Sequence, residues 1–396
     1  MKRGAELLVL ALLLTACATT APAPQPSLAH DVDALLATAP FDKALWGVNV
    51  EEDDGTVLYA RNAHNLMIPA SNRKLFTAAT VVNCIGADAQ LVTSIYRDGE
   101  DLIIKGDGDP SLGSPRYERD AEFDRLATLL HDAGTTRVHD VIADVSLFSD
   151  RILVPGSWKV GNLPESYAAP ADALAWHENA YGDHAIADPG LLTAFTLRDA
   201  LLLHGIEVTG VPRVVTTPTE WKQQIASRRS PFIAQLLMTV LKNSHNLYAE
   251  MLLKRAGGGT YEEAFAREAK FAIEEAGVMP GEWRFVDGSG LSPDDLVTPA
   301  AIVKVLRWMN DPSRRGLWWT ILAQPNNEGT LHHRVVTLEN RMRGKTGTIN
   351  GVNALSGIIA MPDGRYRYFS IVLNHHIGDG DEAVKVIDAV AERIAR

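Results

Sequence analysis

Cysteine is scarce in this chain: two residues, Cys17 and Cys84, among 396. A fold of this length therefore does not rest on a disulfide framework. Basic charge is also short, with 38 Lys and Arg against 49 Asp and Glu and a formal net charge of -11. That balance excludes nucleic acid as a partner, because phosphate neutralisation needs a basic excess. No internal stretch reaches the ~20 apolar residues of a membrane-spanning helix, and no internal repeat is present. What remains is an ordinary globular mix, 46% hydrophobic and 22% charged, able to bury a sizeable core. The length alone suggests roughly two to three domains.

The first residues differ from the rest. Lys2 and Arg3 precede an apolar run from Leu7 to Leu14, with Glu6 intruding at its start, and Leu14-Thr15-Ala16-Cys17 follows. This resembles a bacterial lipobox after a signal peptide. It predicts a cleaved signal at 1–16, and a lipidated Cys17 with a Pro-rich tether at 17–29. The competing reading is a plain cleaved signal with an incidental Cys. Ala18 after the Cys points to the periplasmic face of the outer membrane if the cell has two membranes. Cys84, in the series Val81, Val82, Cys84, Ile85, is expected to be a small buried hydrophobe without catalytic role.

Val32, Leu35 and Leu36 stand at helical spacing between Asp31 and Ala39, closed by Pro40. Leu45–Val50 and Thr56–Ala60 read as a hairpin around Asp53-Asp54-Gly55. After Pro69-Ala70 comes a helix through Leu75, Phe76, Ala79 and Val82, apolar nearly all round and so expected at the centre of a domain. The stretch from Ala89 to Pro218 carries short β-like runs, such as Asp101–Lys105 and Arg137–Val145. A second hairpin, Ala354–Ala360 and Tyr366–Leu373, turns at Pro362-Asp363-Gly364. The last helix sets Val384, Ile387, Ala391 and Ile394 on one face. The pattern predicts an α/β catalytic domain from both chain ends, 30–88 plus 219–396, with a mostly β inserted domain at 89–218.

Three short motifs occur in order: Ser71-Asn72-Arg73-Lys74, Ser244-His245-Asn246 and Lys345-Thr346-Gly347. Ser71 and Lys74 are three apart, so on a helix their side chains meet on one face. A capping Ser would be expected to pair with Glu or Gln at position 74. The chain puts Lys there, where the positive end of the helix dipole and apolar burial both disfavour an ammonium. A neutral amine is then available as base for the Ser hydroxyl. Lys345 to Thr348 reads as an edge strand along a cleft. Its cation and hydroxyl could bind a substrate carboxylate, and Gly347 would let a substrate backbone come close. Ser244 and Asn246, between two apolar helices, can complete a polar network with Lys74.

Together the motifs resemble the Ser-x-x-Lys, Ser-x-Asn and Lys-Thr-Gly signature of penicillin-binding proteins and class A β-lactamases. Four longer stretches narrow the likeness: Pro69–Leu75, Gly106–Leu112, Asp287–Ser292 and Gly344–Thr348. They resemble the D-alanyl-D-alanine carboxypeptidase/endopeptidase family, peptidase family S13, over most of the chain from about Leu45 to His375. The gap from Ser71 to Ser244 is too long for an ordinary class A β-lactamase and suits this family's inserted domain. The resemblance implies a penicillin-binding transpeptidase-like fold and acyl transfer from D-Ala-D-Ala through Ser71. It implies catalytic Ser71, Lys74, Ser244, Asn246 and Lys345, and substrate binding by Thr346, Gly347 and Thr348. It also implies an oxyanion hole from the Ser71 and Thr348 N–H groups. The partners it implies are peptidoglycan stem peptides and β-lactams, with no cofactor or metal. Two departures stand out. A further subdomain of fuller members is reduced, since Trp176–Ala180 runs quickly into Asp188-Pro189-Gly190. In Trp158–Tyr167, Asn162 stands where the family carries an acid that meets the stem's diamino-acid amino group; Glu165 lies three residues on.

Other signals are weaker. Asp107, Asp109, Ser111 and Glu118 fit four places of a calcium loop, but Leu112 occupies the place of its turn glycine. His332-His333 and His375-His376 are adjacent pairs without ligand spacing, and Ser289 lacks a full nucleophile-elbow motif. The rival readings are a serine β-lactamase or esterase on the same fold, and a non-catalytic wall-binding lipoprotein.

Overall fold

The computed structural model describes residues 27–117 and 121–396. The expected signal, Cys17, nearly all of the tether and Glu118 lie outside them. Chain order and sheet order differ in a way that explains the fold. The first hairpin, β1 (Leu45–Glu52) and β2 (Val57–Arg61), ends up beside strands from the far end of the chain. In chain order the numbered strands continue with β3 (Val92–Asp98), β4 (Asp101–Lys105), β5 (Val141–Asp144), β6 (Pro212–Val215) and β7 (Gln223–Arg229). The last three are β8 (Met342–Ile349), β9 (Val352–Ala360) and β10 (Tyr366–Asn374). One antiparallel sheet runs β8-β9-β10-β1-β2, and a second, mixed sheet runs β6-β5-β4-β3-β7, with β5 parallel to both its neighbours.

The first sheet is buried on both faces, so its strands read as nearly continuous apolar runs. Alternation still sorts the side chains. Ala354, Ile358 and Val372 join the core beneath the α2 (Lys74–Ile85), α5 (Ile233–Lys242), α6 (Asn246–Gly257), α8 (Pro299–Met309) and α9 (Arg315–Ile321) helices. Leu355, Ile359, Ile371 and Leu373 face the opposite core, with α1 (Leu28–Leu36) and α10 (Gly380–Ile394). The all-round apolar pattern of α2 has the expected result: Leu75, Phe76, Ala78, Ala79 and Val81 are all buried. Gly86, at φ 93°, ends it.

Three details differ from expectation. The first helix starts at Leu28, because Ser27 Oγ caps it by accepting from His30 N, so the tether's last residues belong to the fold. On α10 the most buried positions are Ala383, Ile387, Val390, Ala391 and Ile394, while Val384 is half-buried. The second sheet takes in β7 through its pairing with β3, which carries the sheet past residue 218. That sheet also packs against two helices absent from the β-like reading, α3 (Glu122–Asp132) and α4 (Pro189–Leu203). Cys84 is half-buried and free, and burial pushes its thiol upward. Among the described residues no helix is long and apolar enough to cross a membrane.

Candidate active site

Ser71 sits in a single 3₁₀ turn, Ala70–Arg73, that leads directly into α2, with Lys74 the first α-helical residue. In a 3₁₀ turn residues i and i+3 eclipse, which brings Lys74 Nζ to 3.0 Å from Ser71 Oγ. The pair expected on an α-helical face thus meets in a tighter geometry. Ala70 adopts φ 46°, a left-handed conformation that costs a non-glycine residue on the order of 1–3 kcal/mol. Its surroundings hold it there. A Cβ on Gly290 would meet Ala70 O at 2.0 Å, and a Cβ on Gly347 would meet Pro69 O at 2.8 Å. Gly347 therefore makes room for the chain's own Ser71 turn; the close approach expected from a substrate backbone is made by the protein itself.

Lys74 is fully buried. Its Nζ has three acceptors: Ser71 Oγ, Asn246 Oδ1 at 2.6 Å and the Ser289 carbonyl at 2.7 Å. Burial pushes its ammonium down to about 7, and Arg73 adds to that; Asp287, Glu250 and Asp295 pull the other way. Arg73 is itself buried and donates to both Glu268 oxygens, at 2.6 and 2.9 Å, and to Asp287 O. The 287–292 loop closes beneath. Asp287 accepts from the N–H groups of Ser289, Gly290 and Ser292 and from Trp158 Nε1. Burial pushes the Asp287 carboxyl up, but a hydrogen bond from Asp295 and these donors outweigh it and hold it below the usual range. Asp295 is driven well up by burial and by Asp287 beside it, and so is the protonated member of the pair.

The second motif lies between α5 and α6. Ser244 adopts φ 61° and its Oγ accepts from Lys345 Nζ at 2.9 Å. Lys345 is fully buried on edge strand β8, and its ammonium is pushed well down by burial and then by Lys74. Asn246 opens α6. Its Oδ1 faces Lys74 and its Nδ2 donates to Tyr167 O at 2.8 Å. His245 turns away and meets Glu178 at 3.1 Å. Burial raises the Glu178 carboxyl, but His245, Ser114 and Arg116 together bring it down to about 2.

A cavity of about 580 Å³ opens over this group. Ser71, Ser244, Asn246 and Thr348 line it, together with Asn162, Lys159 and Tyr167 from the inserted segment. Lys345, Thr346 and Gly347 form the buried strand behind it and do not reach the lining. Asn162 Oδ1 accepts from Tyr167 OH at 3.3 Å, and Glu165 is not among the lining residues. The pseudo-calcium acids are otherwise engaged: Asp107 with Arg255 and Val92 N, Asp109 with Arg228 and Ser111. Among the described residues no group of three or more His, Cys, Asp or Glu could hold a metal.

The sequence pattern did not single out Lys159, the Tyr167 and Ser289 carbonyls, or the Glu178–His245 pair. Carbonyl acceptors leave no residue-type signature. Glu178 belongs to a run of three left-handed residues, His177 to Asn179, with φ of 52°, 59° and 54°, which composition does not reveal.

An antiparallel sheet with helices on both faces, interrupted by a sheet-rich insertion and carrying a cleft Ser beside a buried Lys, defines the penicillin-binding, serine β-lactamase-like class. The chain resembles penicillin-binding protein 4 (dacB) of Haemophilus influenzae in structure, with a TM-score of 0.82 and 19% identity, over 92% of this chain and 99% of that one. It is also similar to a predatory peptidoglycan endopeptidase of Bdellovibrio bacteriovorus, at TM-score 0.60 and 16% identity, over 89% and 93%. In sequence it is 28% identical to a D-alanyl-D-alanine carboxypeptidase of an Actinomadura species, over 93% of this chain and 84% of that protein. The model of the D-Ala-D-Ala carboxypeptidase 3 (S13) family matches residues 28–185 and 177–396. The chain belongs to that family.

Proposed function

We propose that the chain is a serine D-Ala-D-Ala carboxypeptidase, with DD-endopeptidase action by the same chemistry, on peptidoglycan stem peptides. The observation that carries this reading is the 3.0 Å contact between Ser71 Oγ and the buried Lys74 Nζ. Burial leaves a neutral amine accessible near pH 7. Ser71 O–H gives its proton to Lys74 as Oγ bonds to the carbonyl carbon of the penultimate D-Ala. The Ser71 and Thr348 N–H groups hold the oxyanion. The C–N bond then breaks, and the proton passes to the leaving D-Ala amine through Lys74 and the Ser244–Lys345 pair. Water hydrolyses the acyl-enzyme. In a cross-linked substrate the leaving amine is that of a neighbouring diamino acid. Thr348, the member of the Lys-Thr-Gly-Thr strand that reaches the lining, meets the substrate's terminal carboxylate, with Lys345 and Thr346 buried behind it.

β-Lactams acylate Ser71 in the same way. The division into a catalytic part built from both chain ends and an inserted part follows the two sheets, with β7 assigned to the insertion. Cys17 carries a lipid anchor that keeps the exported enzyme at a membrane, the outer one in a diderm cell; the lipobox-like Leu14–Cys17 supports this. One peptide-mapping experiment tests these assignments. Labelled penicillin should leave a stable adduct on the Ser71 peptide, absent in Ser71→Ala, and the mature N-terminal peptide should begin at a lipid-modified Cys17. A label mapping elsewhere removes the mechanism, and rapid turnover of the adduct favours the β-lactamase reading. An unmodified N-terminus removes the anchor.

A further inference from the structure

A third acid lies behind Lys74, outside the three motifs. Glu250 sits on α6, one helical turn beyond Asn246, and is fully buried. Its Oε2 accepts from Gly288 N at 2.7 Å and from Tyr261 OH at 2.9 Å. Its Oε1 has no partner among the described residues. The turn it grips is the one that faces Lys74: Ser289 O accepts from Lys74 Nζ, and Gly288 O accepts from Thr77 Oγ1 at 2.5 Å. A buried carboxyl with one oxygen doubly bonded and the other unpaired is a costly group to keep for packing alone.

We propose that Glu250 is a positioning residue for acylation: it fixes the 288–289 turn against Lys74 and supplies counter-charge for the proton Lys74 takes from Ser71. This rests on the serine-acylation reading above. When the Ser71 O–H bond breaks and an N–H bond forms on Lys74, the new ammonium, fully buried, needs three acceptors and a nearby negative charge. Asn246 Oδ1 and Ser289 O are two of the acceptors, and the nascent Ser71 oxygen is the third. The charged groups around Lys74 are Arg73 on its own turn, Asp287 and Asp295 on the loop, Glu250 on α6 and Lys345 on β8. Arg73 is neutralised by Glu268. Asp287 and Asp295 share one negative charge, as argued above.

Glu250 is the acid whose charge is free to respond. Burial, and then Asp287, push it up to about 7, against the neighbouring Ser289 and the Gly288 and Tyr261 hydrogen bonds. Its proton affinity and that of Lys74 therefore fall in one range and are linked: a proton on Lys74 favours the Glu250 carboxylate, and the carboxylate favours the Lys74 ammonium. The acid limb of the rate profile then belongs to the pair.

The test is the second-order rate of Ser71 acylation by labelled penicillin as a function of pH, on the full-length protein. Glu250→Gln removes the counter-charge and keeps the shape. Its acid limb should move down by roughly half to one pH unit, and its plateau should fall about tenfold because the base is weaker. Tyr261→Phe keeps the carboxyl but removes a donor to its anion, so its limb should move the same way by less. A lower plateau with an unmoved limb in both variants would mean a packing role and overturn the proposal. If Glu250→Gln does not fold, NMR titration of the Lys74 Cε resonance in Tyr261→Phe against wild type decides: a shift supports the linkage and coincident curves reject it. Failure of wild-type Ser71 to label at all would instead remove the acylation reading, and this inference with it.

Discussion

At the scale of single residues, Lys74 carries the argument because two opposing forces act on one nitrogen. Burial disfavours its ammonium, while the acids Asp287 and Glu250 favour charge on it. The balance near pH 7 gives a signed expectation. Lys74 can take the Ser71 proton only when neutral, so acylation should rise with pH through about 7 and level off above it, with no return to activity on the acid side. A stopped-flow profile of penicillin acylation between pH 5 and 9 would read this limb; a flat profile would show that Lys74 is not the base. Lys74→Arg, which keeps the cation but cannot deprotonate, should lose acylation by on the order of 10²–10⁴-fold. The Ser-x-x-Lys pair was fully legible in the sequence because it is local. The three carboxyls around it were not, since Glu250, Asp287 and Asp295 reach Lys74 only through the packing of α6 and the 287–292 loop.

At the scale of elements, the Ser71 turn is stapled from behind. Arg73 and Glu268 are both buried and bidentate, tying the turn to α7 (Tyr261–Glu274), while Arg73 also lies over the Phe285 ring at 3.9 Å. Breaking one side leaves the other charge buried. Arg73→Met should therefore cost roughly 3–5 kcal/mol in denaturant unfolding, and the double variant Arg73→Met/Glu268→Met should recover much of it. Equal destabilisation in single and double variants would show that packing, not charge pairing, holds the staple. Element legibility follows the same division as for residues. The hairpins at Asp53–Gly55 and Pro362–Gly364 and the helix α2 were readable from turn residues and apolar runs. Helices α3 and α4 were obscured by the short strands between them, and β7 joins its sheet by pairing with β3, a contact between distant segments. Ser27 was hidden by its Pro-rich neighbours, although a serine before an apolar helix is an N-cap signal.

At the scale of the whole molecule, the cleft is walled by two parts of different origin. Ser71, Ser244, Asn246 and Thr348 come from the segments around the first sheet, whereas Lys159, Asn162 and Tyr167 come from the long connection that carries the second. Among the hydrogen bonds that tie them, Asn246 Nδ2 to Tyr167 O and Trp158 Nε1 to Asp287 Oδ2 lie at the cleft. On the proposed function, selectivity for the stem's side chain is expected to depend on how the insertion sits on the catalytic part. In the lining that the insertion supplies, Asn162 offers an amide oxygen already accepting from Tyr167 OH, Lys159 adds a positive charge, and Glu165 is absent. A carboxylate facing an ammonium would contribute on the order of 1.5–3 kcal/mol through a charge-assisted hydrogen bond; here the charged residue of the lining, Lys159, has the opposite sign. The expected outcome is a weak preference, or none, for stems with a free distal amine. Comparing kcat/KM on D-Ala-D-Ala peptides with free and acetylated side-chain amines reads it directly. Asn162→Asp should shift the ratio toward the free amine by about tenfold, the equivalent of 1.4 kcal/mol, and Lys159→Gln should shift it the same way by less. A strong wild-type preference for the free amine that collapses in Glu165→Gln would place the recognition on Glu165, and require the 160–168 segment to rearrange when substrate enters the cleft.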